Sequence, residues 1–285
     1  MRSYKDVLNA YNEGRTHSYH FRKVSGTLPT RGWFDLSYSG GLPLANYYAS
    51  NPLEFTPMES SKGMYTGSQS SAGCKFVHKV AIHAQGYAVS LSDRMGNTKF
   101  LLLDYIAYAP FVDFDTTEEQ EFVTIDLPRY TDGRGVRAMV VNQGTGIANV
   151  NMTMTYLNQD GVESVATSTL VTTGNAGAIM SSGDGTSNVD GCFLRLAKGD
   201  YGIRKVLKVQ MNTTVGAIGA IVLVKPILMH SLTEGFCVAE TDFLIDKGTL
   251  PMVHNDAYLN FVASSYYTAT QTPAFHGYVD FVWDN

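Results

Sequence analysis

The chain has 285 residues, of which 44% are hydrophobic, 12% aromatic and only 16% charged, with a formal net charge of −5. Ordinary soluble domains carry roughly a quarter charged residues, and here Lys and Arg are scattered, so nothing attracts a polyanion at long range and no nucleic-acid partner is expected. No apolar run approaches the roughly 20 residues of a spanning helix, and residues 1–25 lack the apolar stretch of a secretion signal, so no membrane partner is expected.

In chain order, the first element is a helix. Tyr4, Val7, Leu8 and Tyr11 recur at spacings of three and four, Ser3 can cap the start, and Gly14 ends it. Residues 25–71 follow as an extended arm punctuated by Pro29, Pro43, Pro52 and Pro57. Trp33, Phe34, Tyr38, Tyr47, Tyr48, Phe55 and Tyr65 are too many aromatics for a disordered linker, so the arm is ordered against its own domain or a neighbouring subunit. Such rings could stack on sugars. In an extended, Pro-rich stretch they read better as interface anchors, and Trp33, Phe34, Tyr38, Tyr47, Tyr48 and Phe55 form the candidate interface.

Between residues 74 and 226 the text changes to short β-like runs separated by turn residues. Asn151, Thr153 and Thr155 alternate with Met152, Met154 and Tyr156; Val206, Lys208 and Gln210 alternate with Leu207, Val209 and Met211. Residues 157–162, LNQDGV, carry a hairpin signal in Asp160-Gly161. Residues 130–135 and Gly183-Asp184-Gly185 are further turns. Many Gly, Tyr and Phe residues and roughly eight or nine strands without intervening helices predict an all-β protein, an antiparallel β-sandwich of jelly-roll type. Residues 1–73 are then a helix and arm, 74–226 the sandwich, and 227–285 a C-terminal extension packed on the sandwich or on a neighbour, with Val279, Phe281 and Trp283 on one face of its last strand.

No pattern carries chemistry. Cys74, Cys192 and Cys237 are odd in number and far apart without a CxxC pair, so they read as reduced, buried small hydrophobes of a chain that folds in a cytoplasm. The acidic run from Asp113 to Glu121 lacks the spacing of a calcium loop and reads as a solvated connection, with Asp113, Asp115 and Glu118 the first residues to suspect should a cation bind. His17, His20, His78, His83, His230, His254 and His276 form no chelating pair. His78 and His83 would face opposite sides of one strand. There is no GxSxG elbow, Gly235-Phe236-Cys237-Val238 matches no catalytic-cysteine pattern, and Gly144-Thr145-Gly146 matches no phosphate loop. No catalytic, metal or cofactor-binding residue is assigned, and the chain is expected to be non-enzymatic.

Four segments resemble a known group. They are residues 26–37 (GTLPTRGWFDLS), Asn46-Tyr47-Tyr48-Ala49 with Pro52-Leu53-Glu54-Phe55, Leu102-Leu103-Asp104-Tyr105 with Ala109-Pro110-Phe111-Val112-Asp113, and Leu127-Pro128-Arg129-Tyr130-Thr131-Asp132-Gly133. Together, over about residues 25–145, they resemble tailed-bacteriophage virion structural proteins described as minor capsid or head-associated. The resemblance implies a non-enzymatic part of a virion assembled in the host cytoplasm. The expectation is a capsid decoration or cement subunit whose partners are the major capsid protein and copies of itself, with a tail or collar component or a carbohydrate-binding surface protein as alternatives.

Overall fold

The computed structural model describes residues 3–24, 32–85, 98–144, 149–171, 175–182, 191–232, 238–264 and 274–284. The chain opens with the expected helix, α1 (Tyr4–Asn12). Its start is a capping box in which Ser3 Oγ accepts from the Asp6 amide and the Asp6 carboxylate accepts from the Ser3 amide; Gly14, at φ +70°, lies just past its end. Val7 and Ala10 are its buried face, packed against Val282.

The strands that follow are β1 (Thr16–Val24), β2 (Trp33–Asp35), β3 (Gly41–Leu42), β4 (Thr56–Pro57), β5 (Cys74–Gln85), β6 (Thr98–Asp113), β7 (Gln120–Glu121), β8 (Arg137–Asn142) and β9 (Asn149–Asn158). The second half holds β10 (Glu163–Val171), β11 (Ala178–Ile179), β12 (Ile203–Met211), β13 (Ile218–Leu232), β14 (Ala239–Asp242), the short helix α2 (Phe243–Lys247), β15 (Met252–His254), β16 (Leu259–Ser264) and β17 (Ala274–Val282). The pairings between these strands are all antiparallel, so the all-β reading holds.

The arrangement differs from a two-sheet sandwich. β6, β13, β8, β11, β2 and β16 pair in that order, and β16 returns to β6, which closes a six-stranded ring; β4 pairs with β6 at Ala107 and Tyr108, past the stretch taken by β16. A second sheet, β10-β9-β12-β7, packs against the later half of β6, and a third, β14-β5-β17-β1-β3 with β15 on β5, packs against its earlier half. The near-continuous apolar run of β6 is what a strand buried on both faces requires. Leu103 and Tyr105 join Met139, Val141, Val222, Val224 and Val262 in one core. Ile106 and Val112 meet Met152, Met154, Val206 and Val209 beneath the second sheet, and Phe100 and Leu102 meet Val80, Phe275, Val279 and Phe281 beneath the third.

Several expectations change accordingly. The sheets run across both expected boundaries: β13 passes through residue 226, β5 pairs with β17, and the ring is completed by β2 from the arm and β16 from the C-terminal part. The residue 157–162 hairpin forms as read, with Gly161 at φ +76°. β12 does not alternate as read, because register shifts at Ile203/Lys205 and Val206/Lys208 bring Val206 and Val209 both into the core. Cys192 is buried and its thiol pushed up by burial, whereas Cys74 is only half-buried. Cys237, residues 25–31, residues 145–148 and Gly183-Asp184-Gly185 lie outside the described residues. No described helix is long and apolar enough to cross a membrane.

Candidate interaction surface

The residues chosen as interface anchors divide by depth. Phe34, Tyr48 and Phe55 are buried in this chain's own cores and so are not available to a neighbour; Trp33 and Tyr38 are half-buried; Tyr47 is 57% exposed. The reason is visible in the adjacent pair Tyr47-Tyr48, where consecutive side chains must leave the backbone in different directions. Tyr48 turns inward at φ +52°, its amide donating to Asn46 Oδ1 at 3.1 Å. Rings then connect core to surface, from Tyr108 to Tyr48 (5.2 Å), Tyr48 to Tyr38 (6.1 Å) and Tyr38 edge-on to Tyr47 (5.2 Å).

Tyr47 is not alone at the surface. Gln143 donates from Nε2 to Tyr47 O at 3.2 Å and accepts the Phe111 amide on Oε1 at 3.0 Å, while its own amide donates to Ile218 O at 2.9 Å. Leu53 donates to Pro110 O and accepts from the Val123 amide. These bonds tie together the backbones of Tyr47, Phe111 and Ile218 through Gln143, and those of Pro110 and Val123 through Leu53; the side chains of Tyr47, Phe111 (41%), Val123 (62%) and Ile218 (43%) are exposed. Tyr48, Leu53 and Phe111 all hold left-handed backbone, φ +52°, +55° and +59°. Each costs roughly 1–2 kcal/mol for a residue with a Cβ, and three so close together mark a segment held in shape by its surroundings. Phe111, Val123, Ile218 and Gln143 are not among the interface residues that the sequence suggests. Phe111 sits in an unbroken apolar run that reads as continuous strand, and only the preceding proline hints at a change of direction.

The ring also holds two buried carboxylates, Asp35 and Asp104. Asp35 accepts from the Ser37 amide (2.9 Å), Ser37 Oγ (2.9 Å), Tyr105 Oη (2.6 Å) and Tyr48 Oη. Burial pushes its carboxyl above the usual carboxylate range, against these hydrogen bonds, which favour the ionised form. Asp104 instead pairs with Arg129, whose Nε lies at 2.7 Å, and also accepts Tyr130 Oη and the Tyr258 amide. Asp35, Tyr48, Asp104, Tyr105, Arg129 and Tyr130 are all letters of the four segments that carry the resemblance. In this chain those residues form a buried polar network that fixes loops onto the ring.

The acidic run holds no converging ligand set. Asp113 Oδ1 caps the Asp115 amide at 2.8 Å and Glu119 pairs with Lys208 at 2.9 Å. Among the described residues no group of three or more His, Cys, Asp or Glu side chains is placed to hold a metal ion.

No family model and no curated protein matches the chain. Solved structures from infectious bursal disease virus align with it loosely. The Gx strain structure is 7% identical over 95% of this chain and 80% of that chain, with a TM-score of 0.19. The virus-derived T=1 particles give 8% identity over 94% and 77%, with a TM-score of 0.19. The VP2 subviral particle gives 7% over 94% and 80%, with a TM-score of 0.17. Superpositions this loose carry no argument about what the chain does.

Proposed function

We propose that the chain is a non-enzymatic structural subunit of a virus particle, a capsid decoration subunit of the tailed-phage kind. Its contact with the major capsid protein and with its own copies is made through the Tyr47, Phe111, Val123 and Ile218 surface. The observation that carries this reading is the display of two exposed aromatic side chains, Tyr47 and Phe111, the second on left-handed backbone, with Gln143 bonded to the backbone of both. Aromatic anchors held rigid before binding lose little entropy on docking, which is what hot-spot residues need. The motif resemblance supplies the virion setting; the surface supplies the means of attachment. Quantitative mass spectrometry of purified particles tests the role. A decoration subunit is present in hundreds of copies per particle, whereas a count in the tens or fewer would move the chain to the tail or collar, and absence from particles would end the reading.

A further inference from the structure

Away from the Tyr47 surface, α1 lies over the third sheet and leaves a groove of about 540 Å³. Its rim is apolar and exposed, made by Tyr4, Leu8 and Tyr11 of α1 and Ile245 of α2. Its floor is charged. His78 is buried there with Nδ1 2.9 Å from Tyr11 Oη and Nε2 3.2 Å from Asp242 Oδ2. Lys79 is shared between Asp242 at 3.6 Å and Glu240 at 3.7 Å. Glu240 also accepts from Tyr278 Oη at 2.5 Å. Asp280 of β17, half-buried in the same floor, has no ion pair and no hydrogen bond among the described residues. Its charge nevertheless reaches the rim: the Tyr11 hydroxyl is pushed up to about 12, first by burial and then by Asp280 and Asp242.

A half-buried carboxylate with no ion pair or hydrogen bond among the described residues, across from Lys79 and walled by tyrosines and an aliphatic rim, is complementary to a cation on an apolar stem. A guanidinium suits it better than an ammonium, because its planar head can meet a carboxylate and an aromatic face together and is more weakly hydrated. We infer that this groove receives an arginine side chain of a partner protein, its guanidinium on Asp280 and its methylenes along Leu8 and Ile245. A free diamine is a poorer fit, since its second charge would lie against the apolar rim. The assignment is independent of the particle role and of the Tyr47 surface.

The test uses the isotopically labelled full chain titrated by NMR with N-acetyl-arginine amide, its neutral isostere N-acetyl-citrulline amide, and putrescine. Saturable shifts at Leu8 and Asp280 with the arginine compound, about tenfold weaker with citrulline, are expected. Asp280→Asn should weaken arginine binding about tenfold. Ile245→Lys, at a position 69% exposed and outside the cores, should do the same by placing a like charge on the rim. Equal binding of arginine and citrulline compounds, tighter binding of putrescine, no saturable shift up to the solubility limit, or full affinity in Ile245→Lys would each overturn the assignment.

Discussion

Among the described residues Asp35 has no cation within hydrogen-bond reach and accepts instead from hydroxyls of Ser37, Tyr48 and Tyr105, whereas Asp104, on β6 of the same ring, carries a buried guanidinium. Different substitution costs follow. Burial already disfavours the Asp35 charge, and the surrounding hydroxyls can rotate to accept from an amide, so Asp35→Asn should change stability by no more than about 1 kcal/mol. Asp104→Asn leaves Arg129 charged and buried without its counter-ion, and should cost roughly 3–5 kcal/mol. Urea unfolding of both variants checks the pair; equal losses, or the reverse order, would contradict the distinction.

Between elements, His230 near the end of β13 clamps β14. Its ring nitrogens lie 3.1 Å from Ala239 O and 3.1 Å from Thr241 Oγ1, which fits the neutral ring with Nε2 donating. Burial lowers its pKa below 6.5. The unfolded chain therefore takes up this proton first as pH falls, so the clamp's contribution is complete above about 6.5 and is lost on acidification. His230→Gln should flatten the fall of the urea midpoint between about pH 7 and 5.5, and an unaltered slope would refute the clamp. Legibility in the sequence follows the same division between local and non-local causes. α1 and the residue 157–162 hairpin were legible because Ser3, Asp6 and Asp160-Gly161 act within a few residues. β2 and β11, of three and two residues, have no periodicity to read, yet they close the ring. Of the six anchors proposed, only Tyr47 is well exposed, because alternation shows that Tyr47 and Tyr48 diverge but not which of them faces the core.

At the scale of the whole molecule, the ring packs against two further sheets, and strands from both ends of the chain complete it. Residues 1–71 supply β1 to the interior of the third sheet and β2 to the ring. Their removal should open the ring between β11 and β16, expose the edge of β17 and give an aggregating product. A monomeric truncation that unfolds cooperatively in calorimetry would show that the arm is dispensable to the fold. The attachment claim is best tested in the intact chain, because Tyr47 and Phe111 point away from the cores and their loss leaves the fold in place. Each hot-spot aromatic is worth about 2 kcal/mol, or roughly thirtyfold in affinity. The decisive measurement is the occupancy of Tyr47→Ala/Phe111→Ala protein added back to particles assembled without the subunit, alongside its melting temperature: the account predicts near-native melting with occupancy lost, and full occupancy by the double variant would contradict it.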